Sequence, residues 1–436
     1  MGALLFTNEP GRGVPNVSFI REDTVMMSHS WIAPTRPRAG VRTAALAALA
    51  TVLWVSSQAM ALAEPRVESV GDTTVARFPF AAPQVSTMTA AEPMPLPTTD
   101  LAPSSLVEHL LSPMAADMGE PGFEPGGAPT RSSSLALPDV DTDTLALPSE
   151  ASADAVAPAE YGTSNHPFTT ARVDTGYGPV KNNVSRTYPY SAAGKLFFVD
   201  RGTNFVCSGA LIKPGIVATA AHCVAAFGEQ RFFTEFQFAP AQYANTQPFT
   251  AWTARDVRIM TSYYNGTDRC STPGIVCEND IAVIELNPKR YKGELVFPGQ
   301  FTGWLGYGWG GFGFTKEDMV QISQLGYPVS HDSGRIMQRT DSYGFVDSSS
   351  ADNTIWGSRQ TGGSSGGPEV VNLGIRGSFT VSEGAEANPN IVIGTTSWGY
   401  TSDAIKQLGA SPFTEKNIVV LVNDACAIAR PGACGE

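Results

Sequence analysis

The distribution of apolar residues changes at about Arg186. Beyond it, short runs rich in β-branched and aromatic residues are separated by Gly, Pro and Asn turns, among them K-L-F-F-V, G-I-V-A-T-A and I-A-V-I-E-L. Some runs alternate with polar residues and others are wholly apolar, and they follow one another at short intervals. This spacing predicts an antiparallel barrel or sandwich rather than β–α–β units.

One helix is predicted near the end of the chain. The run F-T-E-K-N-I-V-V-L-V-N-D-A-C, residues 413–426, places Ile418, Leu421, Val422 and Ala425 on one face. Apolar residues at this spacing form the stripe that a surface helix packs against a core. The protein is therefore predicted to be all-β with a C-terminal helix.

A different pattern fills residues 64–185, which we call the leading segment. Sixteen of the 32 prolines lie between residues 64 and 181, with Ala, Ser, Thr and acidic residues between them. Such a composition buries too little apolar surface to offset the entropy of ordering, so the segment is predicted to be mostly disordered. The run S-S-L-V-E-H-L-L, residues 104–111, is the exception and predicts a brief helix after a Ser cap. The segment is either a removable propeptide or a tether.

The first 63 residues have the pattern of an export signal. Arg36, Arg38 and Arg42 precede an apolar run over about residues 44–55, and the small-residue pattern A-L-A follows at residues 61–63. Basic, apolar and cleavable regions in this order are typical of a signal peptide, with Met26 or Met27 as a possible true start. A membrane anchor is the alternative, but the run is shorter than the ~20 residues that span a bilayer. We expect a secreted or periplasmic protein with no stable membrane anchor.

Charge is distributed unevenly. The formal net charge is −12, and the leading segment holds sixteen acidic residues against five basic ones. No basic stripe appears elsewhere, so nucleic acid is not an expected partner.

All six cysteines lie after residue 206, and an even number in an exported protein predicts disulfides. Neighbours in sequence are the economical pairs: Cys207 with Cys223, Cys270 with Cys277, and Cys426 with Cys434. A metal site is the alternative, disfavoured because neither a C-x-x-C pair nor a histidine cluster is present.

Three short motifs contain candidate catalytic groups. The motif T-A-A-H-C places His222 beside a predicted disulfide that would help to fix an imidazole base. The motif E-N-D-I-A-V places Asp280 directly before an apolar strand, and G-G-S-S-G-G-P places Ser365 among glycines. Gly and Ser alone would favour a flexible loop; the three motifs together favour a nucleophile.

These motifs, in the order His, Asp, Ser, resemble the chymotrypsin-like serine proteases, and the resemblance covers about residues 186–426. It implies two six-stranded antiparallel β-barrels, with His222 and Asp280 from the first and Ser365 from the second. It also implies an oxyanion hole formed by the amides of Gly363 and Ser365. The protein is then a serine endopeptidase that acts on proteins or peptides, and no metal or organic cofactor is expected.

A fourth match, T-T-S-W-G-Y, resembles the family's substrate-pairing segment, with Ser397, Trp398 and Gly399 as a wall of the primary specificity pocket. The segments T-G-G-S-S-G-G-P and G-Y-P resemble the bacterial glutamyl-endopeptidase branch most. That resemblance places Arg359 at the pocket floor, where a guanidinium could receive a substrate carboxylate; the alternative is that Arg359 points to solvent.

The sequence departs from the family at two positions. Ser364 replaces the aspartate that pairs with a new N-terminal ammonium in trypsin-type enzymes, so activation is expected to proceed by other means, such as removal of the leading segment from the cleft. Thr396 and Ser397 stand where glutamyl endopeptidases have a histidine before the tryptophan, which removes the usual support for cleavage after Glu. His331 is expected to be a surface-loop residue.

Two other functions are less consistent with the sequence. A catalytically silent, protease-like binding module usually lacks a triad residue, whereas all three are present here. A Deg-type chaperone protease would need room for a PDZ domain after the helix. The predicted organisation is an export region over 1–63, the leading segment over 64–185 and a serine protease domain over 186–436.

Overall fold

Short β-strands make up most of the fold. The computed structural model describes residues 64–79, 91–111, 118–131, 166–174, 184–375 and 388–435, all within the unit Leu62–Glu436. The predicted export signal over residues 1–63 lies outside the described residues. The strands of the leading segment are β1 (Arg66–Val70), β2 (Thr73–Arg77), β3 (Glu92–Pro93), β4 (Thr98–Thr99), β5 (Gly122–Glu124) and β6 (Phe168–Arg172).

Two further sets of strands follow the leading segment. Up to residue 296 they are β7 (Ala193–Asp200), β8 (Thr203–Lys213), β9 (Ile216–Thr219), β10 (Ala225–Ala226), β11 (Arg231–Phe232), β12 (Thr234–Pro240), β13 (Trp252–Met260), β14 (Cys270–Thr272), β15 (Val276–Cys277), β16 (Ala282–Leu286), β17 (Lys289–Tyr291) and β18 (Glu294–Val296). Beyond it they are β19 (Gly306–Trp309), β20 (Met319–Gly326), β21 (Gln338–Asp347), β22 (Asn353–Gly357), β23 (Pro368–Val371), β24 (Ile391–Thr395), β25 (Trp398–Tyr400) and β26 (Gln407–Ala410).

The first barrel closes from six antiparallel strands, in the order β7, β8, β9, β16, β13, β12 and back to β7. The apolar run of β16 is buried along its whole length, as a run without polar alternation predicts. Leu196, Phe198, Val217, Trp252 and Ile284 are fully buried in its core. The barrel therefore supplies a rigid edge for the turn that follows β9.

The second barrel also closes from six strands. Its order is β20, β21, β22, β26, then one strand made of β25 and β24 together, then β23 and back to β20. The strand formed by β24 and β25 is interrupted at Thr396 and Ser397, so that one half pairs with β23 and the other with β26. Ile322, Trp356 and Val371 are buried in its core. The all-β, two-barrel prediction is confirmed.

The helices are short. They are α1 (Leu106–Leu111), α2 (Thr261–Asn265), α3 (Gly299–Thr302) and α4 (Val420–Ala427). The predicted C-terminal helix is present, but its first turn, Glu415–Val419, is a π-helix that begins at a reciprocal cap between Thr414 and Asn417. The predicted apolar face is buried. Among the described residues, no helix is both long and apolar enough to span a membrane.

The described residues of the leading segment include strands β1–β6, although the composition of the segment predicts that it is mostly disordered. Strand β2 adds to β13 of the first barrel, while β5 and β6 add to β19 and β21 of the second. Val75 and Ala76 of β2 are buried. The composition of a segment indicates whether that segment can form a hydrophobic core of its own. The described parts of this segment do not form one; their backbone pairs with the edges of the barrel sheets, and their apolar side chains pack against the barrels.

Three disulfides join Cys207 to Cys223, Cys270 to Cys277, and Cys426 to Cys434. These are the pairs that proximity in sequence favours. The first ties β8 to the turn after β9, the second joins β14 to β15, and the third holds the end of α4.

Candidate active site

His222 lies on a single 3₁₀ turn, Ala221–Cys223, directly after β9. Its side chain is buried, and the disulfide of Cys223 holds the turn against β8. A barrel strand on one side and a covalent link on the other leave the imidazole little freedom to move. This is the placement that the T-A-A-H-C motif predicts for a fixed base.

Asp280 lies just before β16 and faces His222. One carboxylate oxygen accepts from the backbone N–H of His222 at 2.8 Å, and the other lies 2.7 Å from Nδ1. The Ser397 hydroxyl also donates to Asp280. Burial, together with the charges of Asp280 and Asp268, raises the pKa of the neighbouring Tyr263 well above its usual range, so this phenol stays protonated. The carboxylate is thus enclosed by donors and neutral groups.

Ser365 lies on the loop between β22 and β23. Ser208 of β8 donates its backbone N–H to the Ser365 carbonyl at 2.7 Å, which holds this loop of the second barrel against the first. The hydroxyl of Ser365 is buried, with no hydrogen-bond partner among the described residues. A buried hydroxyl without a partner is costly in a structure, and it leaves the oxygen available for a ligand or a reacting group.

The glycines around Ser365 are required by close approach. Gly366 has φ +75°, and a Cβ there would lie 2.0 Å from the Thr219 hydroxyl. Gly363 has φ +89°, and a Cβ there would lie 2.6 Å from the Tyr327 carbonyl. Positive φ and backbone contact both exclude other residues.

The amide of Gly363, one of the two predicted oxyanion donors, points into the cleft. It donates to the carbonyl of Met94 in the leading segment at 2.9 Å. The neighbouring Ser364 is buried and donates its hydroxyl to the Thr361 carbonyl at 2.7 Å. Ser364 therefore has an internal partner that does not depend on a new N-terminus.

Ser208 is a residue that the sequence did not single out. Its hydroxyl donates to the Gly363 carbonyl at 2.8 Å and accepts from the Tyr327 amide at 3.0 Å. These two bonds orient the peptide unit of Gly363 and connect it to the G-Y-P segment. The motif C-S-G after Val206 could have suggested Ser208, but its neighbours in space come from distant parts of the chain.

The predicted pocket wall, Ser397 to Gly399, lies at the start of β25. The Gly399 amide donates to the Pro97 carbonyl at 2.9 Å, which shows that this strand offers its backbone to an extended chain. The Trp398 indole is fully buried and donates to the Asn353 side chain at 2.7 Å, so it packs into the barrel. The Ser397 side chain is bound to Asp280 rather than directed into a pocket.

Arg359, the predicted pocket-floor residue, is exposed. Its carbonyl accepts from the Ser330 hydroxyl at 3.1 Å. The adjacent His331, predicted in a surface loop, lies with Nδ1 2.9 Å from the same hydroxyl, and burial lowers the pKa of its ring.

Behind the wall lies a buried polar network that the sequence did not reveal. The Gln324 side chain donates to the Thr396 hydroxyl at 2.8 Å and accepts from the Ser358 hydroxyl at 2.7 Å. A buried glutamine side chain needs such partners. The network joins β20 to Ser358, at the start of the Ser365 loop, and to Thr396, between β24 and β25.

Potential metal ligands come together at two places among the described residues. One group contains Cys207, His222 and Cys223, and the other contains Asp268, Cys270 and Cys277. The cysteines in both groups form disulfides, so their sulfurs are not available as thiolate ligands.

Two antiparallel barrels, the first with the buried His222–Asp280 pair and the second with the Ser365 loop, are the architecture of a serine-type endopeptidase. The trypsin family profile matches residues 180–415, more than half of the chain. The protein belongs to this family.

Solved structures to which the chain is similar include protease Anisep from Arthrobacter nicotinovorans, with 23% identity and a TM-score of 0.43 over 54% of this chain and 96% of that one. The thermostable serine protease AL20 from an extremophilic microorganism has 22% identity and a TM-score of 0.43 over 55% and 98% of the two chains. A Glu endopeptidase has 17% identity and a TM-score of 0.38 over 59% and 96%. None of the curated proteins compared with the chain matches it.

Proposed function

We propose that the protein is an exported serine endopeptidase in which Ser365 attacks peptide bonds, His222 transfers protons and Asp280 orients His222. The observation that carries the proposal is the double hydrogen bond between Asp280 and His222, at the backbone N–H and at Nδ1. A carboxylate that accepts a hydrogen bond from Nδ1–H keeps the proton on Nδ1 and leaves the lone pair on Nε2, the nitrogen that must act as base.

The reaction then proceeds in two halves. Nε2 of His222 takes the proton of Ser365 Oγ as the oxygen forms a bond to the substrate carbonyl carbon, and the oxyanion receives hydrogen bonds from the amides of Gly363 and Ser365. When the C–N bond breaks, His222 returns the proton to the leaving amine. Water, activated by the same imidazole, hydrolyses the acyl-enzyme and releases Ser365.

Export is supported by the three disulfides, because disulfides form and persist in oxidising compartments and are rare in the cytosol. The basic, apolar and small-residue pattern of residues 1–63 supports it independently. We place the enzyme outside the cytoplasm, secreted or periplasmic, acting on protein or peptide substrates.

We also propose a weak preference for Glu or Asp before the cleaved bond, with Arg359 as its determinant. Arg359 is exposed, and an exposed ion pair contributes about 0–1 kcal/mol. A tenfold change in rate needs about 1.4 kcal/mol, so we expect a preference of only a few-fold.

The test compares three full-length chains: the unaltered protein, Ser365→Ala and, as the matched control, Ser364→Ala. Each is treated briefly with a metalloprotease, which a chelator then inactivates, and is incubated with a diverse peptide pool whose products are mapped by mass spectrometry. This treatment defines the activated chain. Cleavage by the unaltered and Ser364→Ala chains but not by Ser365→Ala is the expected result. Equal cleavage by all three would refute the nucleophile, and no cleavage by any would favour a binding module.

A further inference from the structure

One stretch of the leading segment, residues 92–99, lies along both barrels at the candidate active site. Strand β3 pairs in parallel with β8, with Glu92 opposite Phe205 and Pro93 opposite Val206. Strand β4 pairs in parallel with β25, with Thr98 opposite Gly399. The stretch therefore begins on the first barrel and ends on the second.

Between these two strands the backbone passes directly over the Ser365 loop. The Met94 amide donates to the Val206 carbonyl at 2.9 Å, and the Met94 carbonyl accepts from the Gly363 amide at 2.9 Å. The next two residues of the stretch, Pro95 and Leu96, lie beside Gly362: a Cβ on Gly362 would lie 3.5 and 3.6 Å from their backbone atoms. The Met94 carbonyl thus occupies a donor that the proposed mechanism reserves for the oxyanion.

The direction of the stretch is opposite to that of a substrate, an argument that rests on the proposed function. In a substrate, the residues before the attacked carbonyl lie along the specificity wall. Here the carbonyl at Gly363 belongs to Met94, while the wall strand β25 pairs with Thr98 and Thr99, which come after it. The backbone of residues 92–99 therefore runs through the cleft in the direction opposite to that of a substrate.

We propose that residues 92–99 are a built-in inhibitor that lies in the cleft in the reverse direction, blocks it with the Met94 carbonyl, and resists cleavage because of that direction. Peptide substrates need the same backbone donors, those of Gly363 and Gly399, so the two cannot bind together. The full-length chain is a latent form of the enzyme.

The sequence of the stretch suits this role. Residues 92–97 read E-P-M-P-L-P, with proline at every second position. Proline fixes φ near −65° and favours extended polyproline II backbone. A chain that is already extended loses less entropy on docking.

Side chains that follow the crossing anchor the stretch. A Cβ on Gly399 would lie 2.9 Å from Leu408 and 3.0 Å from Leu96, so Leu96 packs over the predicted pocket wall. Thr99 is buried, with its hydroxyl 3.0 Å from that of Thr272. Further along, Nε2 of His109 lies 2.6 Å from the Glu317 carbonyl.

The first test measures initial rates of peptide-pool cleavage by full-length chains whose intact masses are verified before and after the assay. The variants are Leu96→Asp, which places a charge against Gly399 and Leu408, and Ala102→Asp, which adds the same charge at an exposed position beyond the cleft. We expect Leu96→Asp to be at least tenfold faster than the unaltered chain and Ala102→Asp to be equal to it. If the unaltered chain stays intact and cleaves the peptide pool as fast as Leu96→Asp does, the proposal is wrong.

A second measurement does not depend on catalysis. In a Ser365→Ala background, hydrogen exchange of the amides at Gly363 and Gly399 should be slow in the unaltered leading segment and faster with Leu96→Asp. The amides of β9 and β16, which do not pair with the stretch, serve as the control for folding and should not change. Equal protection of the Gly363 and Gly399 amides in both chains overturns the proposal, whether or not the chains have protease activity. A lack of protease activity in every chain, by itself, would count against the proposed function and not against the inhibitor.

The reverse direction has its own test. A synthetic peptide of residues 91–101 should inhibit the activated chain and remain intact, whereas the same residues in reverse order should inhibit at least tenfold less. Rapid hydrolysis of the peptide within residues 92–99 would show substrate-like binding and contradict the reverse direction.

Discussion

The Asp280 carboxylate accepts two hydrogen bonds from His222, one from the backbone N–H at 2.8 Å and one from Nδ1 at 2.7 Å. The first fixes the position of the turn that carries the imidazole, and the second fixes its tautomer. Because both groups are buried, water does not compete for these bonds. Position and protonation of the proposed base thus depend on one side chain.

Asp280→Asn should lower kcat by about four orders of magnitude, because an amide at this place can present an N–H to Nδ1 and favours the wrong tautomer. Peptide hydrolysis by the activated chain measures the effect. Ser397→Ala is the matched control: it removes one donor to Asp280 but leaves both bonds to His222, so we expect a loss of about tenfold. A loss of less than tenfold in Asp280→Asn would contradict the assigned role.

Removal of the Cys207–Cys223 disulfide should affect both stability and activity. The bond closes a loop with a sequence separation of 16, and loss of a cross-link of this size costs about 3 kcal/mol. The double variant Cys207→Ala/Cys223→Ala should also lower kcat, because His222 lies next to Cys223. Removal of the Cys426–Cys434 bond should reduce the free energy of unfolding comparably but leave kcat unchanged. Equal kcat in both double variants would show that the first disulfide does not position His222.

Acid should weaken the leading segment through His166. This side chain is buried beside Phe345, with ring centroids 5.2 Å apart, and neither ring nitrogen has a hydrogen-bond partner among the described residues. Burial lowers the pKa of His166 from 6.5 to about 4. The neutral ring is therefore favoured in the folded state, so its stabilising effect is complete above pH 6.5 and is lost as the pH falls from there towards 4.

From pH 7.5 to 5 this group should cost about 2 kcal/mol of unfolding free energy. Guanidinium unfolding of the Ser365→Ala chain at the two pH values measures the loss, and His166→Phe in the same background is the comparison, because Phe does not titrate. The variant should lose about 2 kcal/mol less than its parent. The same pH dependence in both chains would exclude His166 as the cause.

Arg359→Gln tests the proposed specificity. The ratio of kcat/KM for a peptide with Glu before the cleaved bond to that for a matched peptide with Leu should fall by a few-fold, and not by more than tenfold, because Arg359 is exposed. Arg335→Gln, at another site of the second barrel, serves as the control and should leave the ratio unchanged. An unaltered ratio in Arg359→Gln would remove Arg359 from the account.

The chemistry-bearing motifs could be predicted from the sequence because their requirements are local. A histidine beside a disulfide, an aspartate before an apolar strand, and a serine between glycines each contain their own physical reason. The glycines are the clearest case: Gly363 and Gly366 have positive φ and close backbone contacts, which a reader of G-G-S-S-G-G-P can expect. The short apolar runs likewise predicted the strands of the barrels.

The residues that escaped prediction owe their positions to contacts distant in the chain. Ser397 was expected at a pocket wall, but its hydroxyl reaches Asp280, 117 residues earlier. Met94 lies in a segment whose composition predicts disorder, and its order comes from Val206 and Gly363. Backbone pairing to a sheet edge needs no particular side chains, and so it leaves no periodic signal; only the alternating prolines before Thr98 hint at an extended strand.

The proposed mechanism requires Ser365 as the nucleophile, and trapping its acyl intermediate tests this most directly. The activated chain is mixed with an activated ester substrate, quenched in acid within one turnover, digested and analysed by mass spectrometry. We predict that the acyl group is attached to Ser365, at close to one group per chain, and that Ser365→Ala carries none. An acyl group on another residue, or ester hydrolysis by Ser365→Ala at the unaltered rate, would contradict the account.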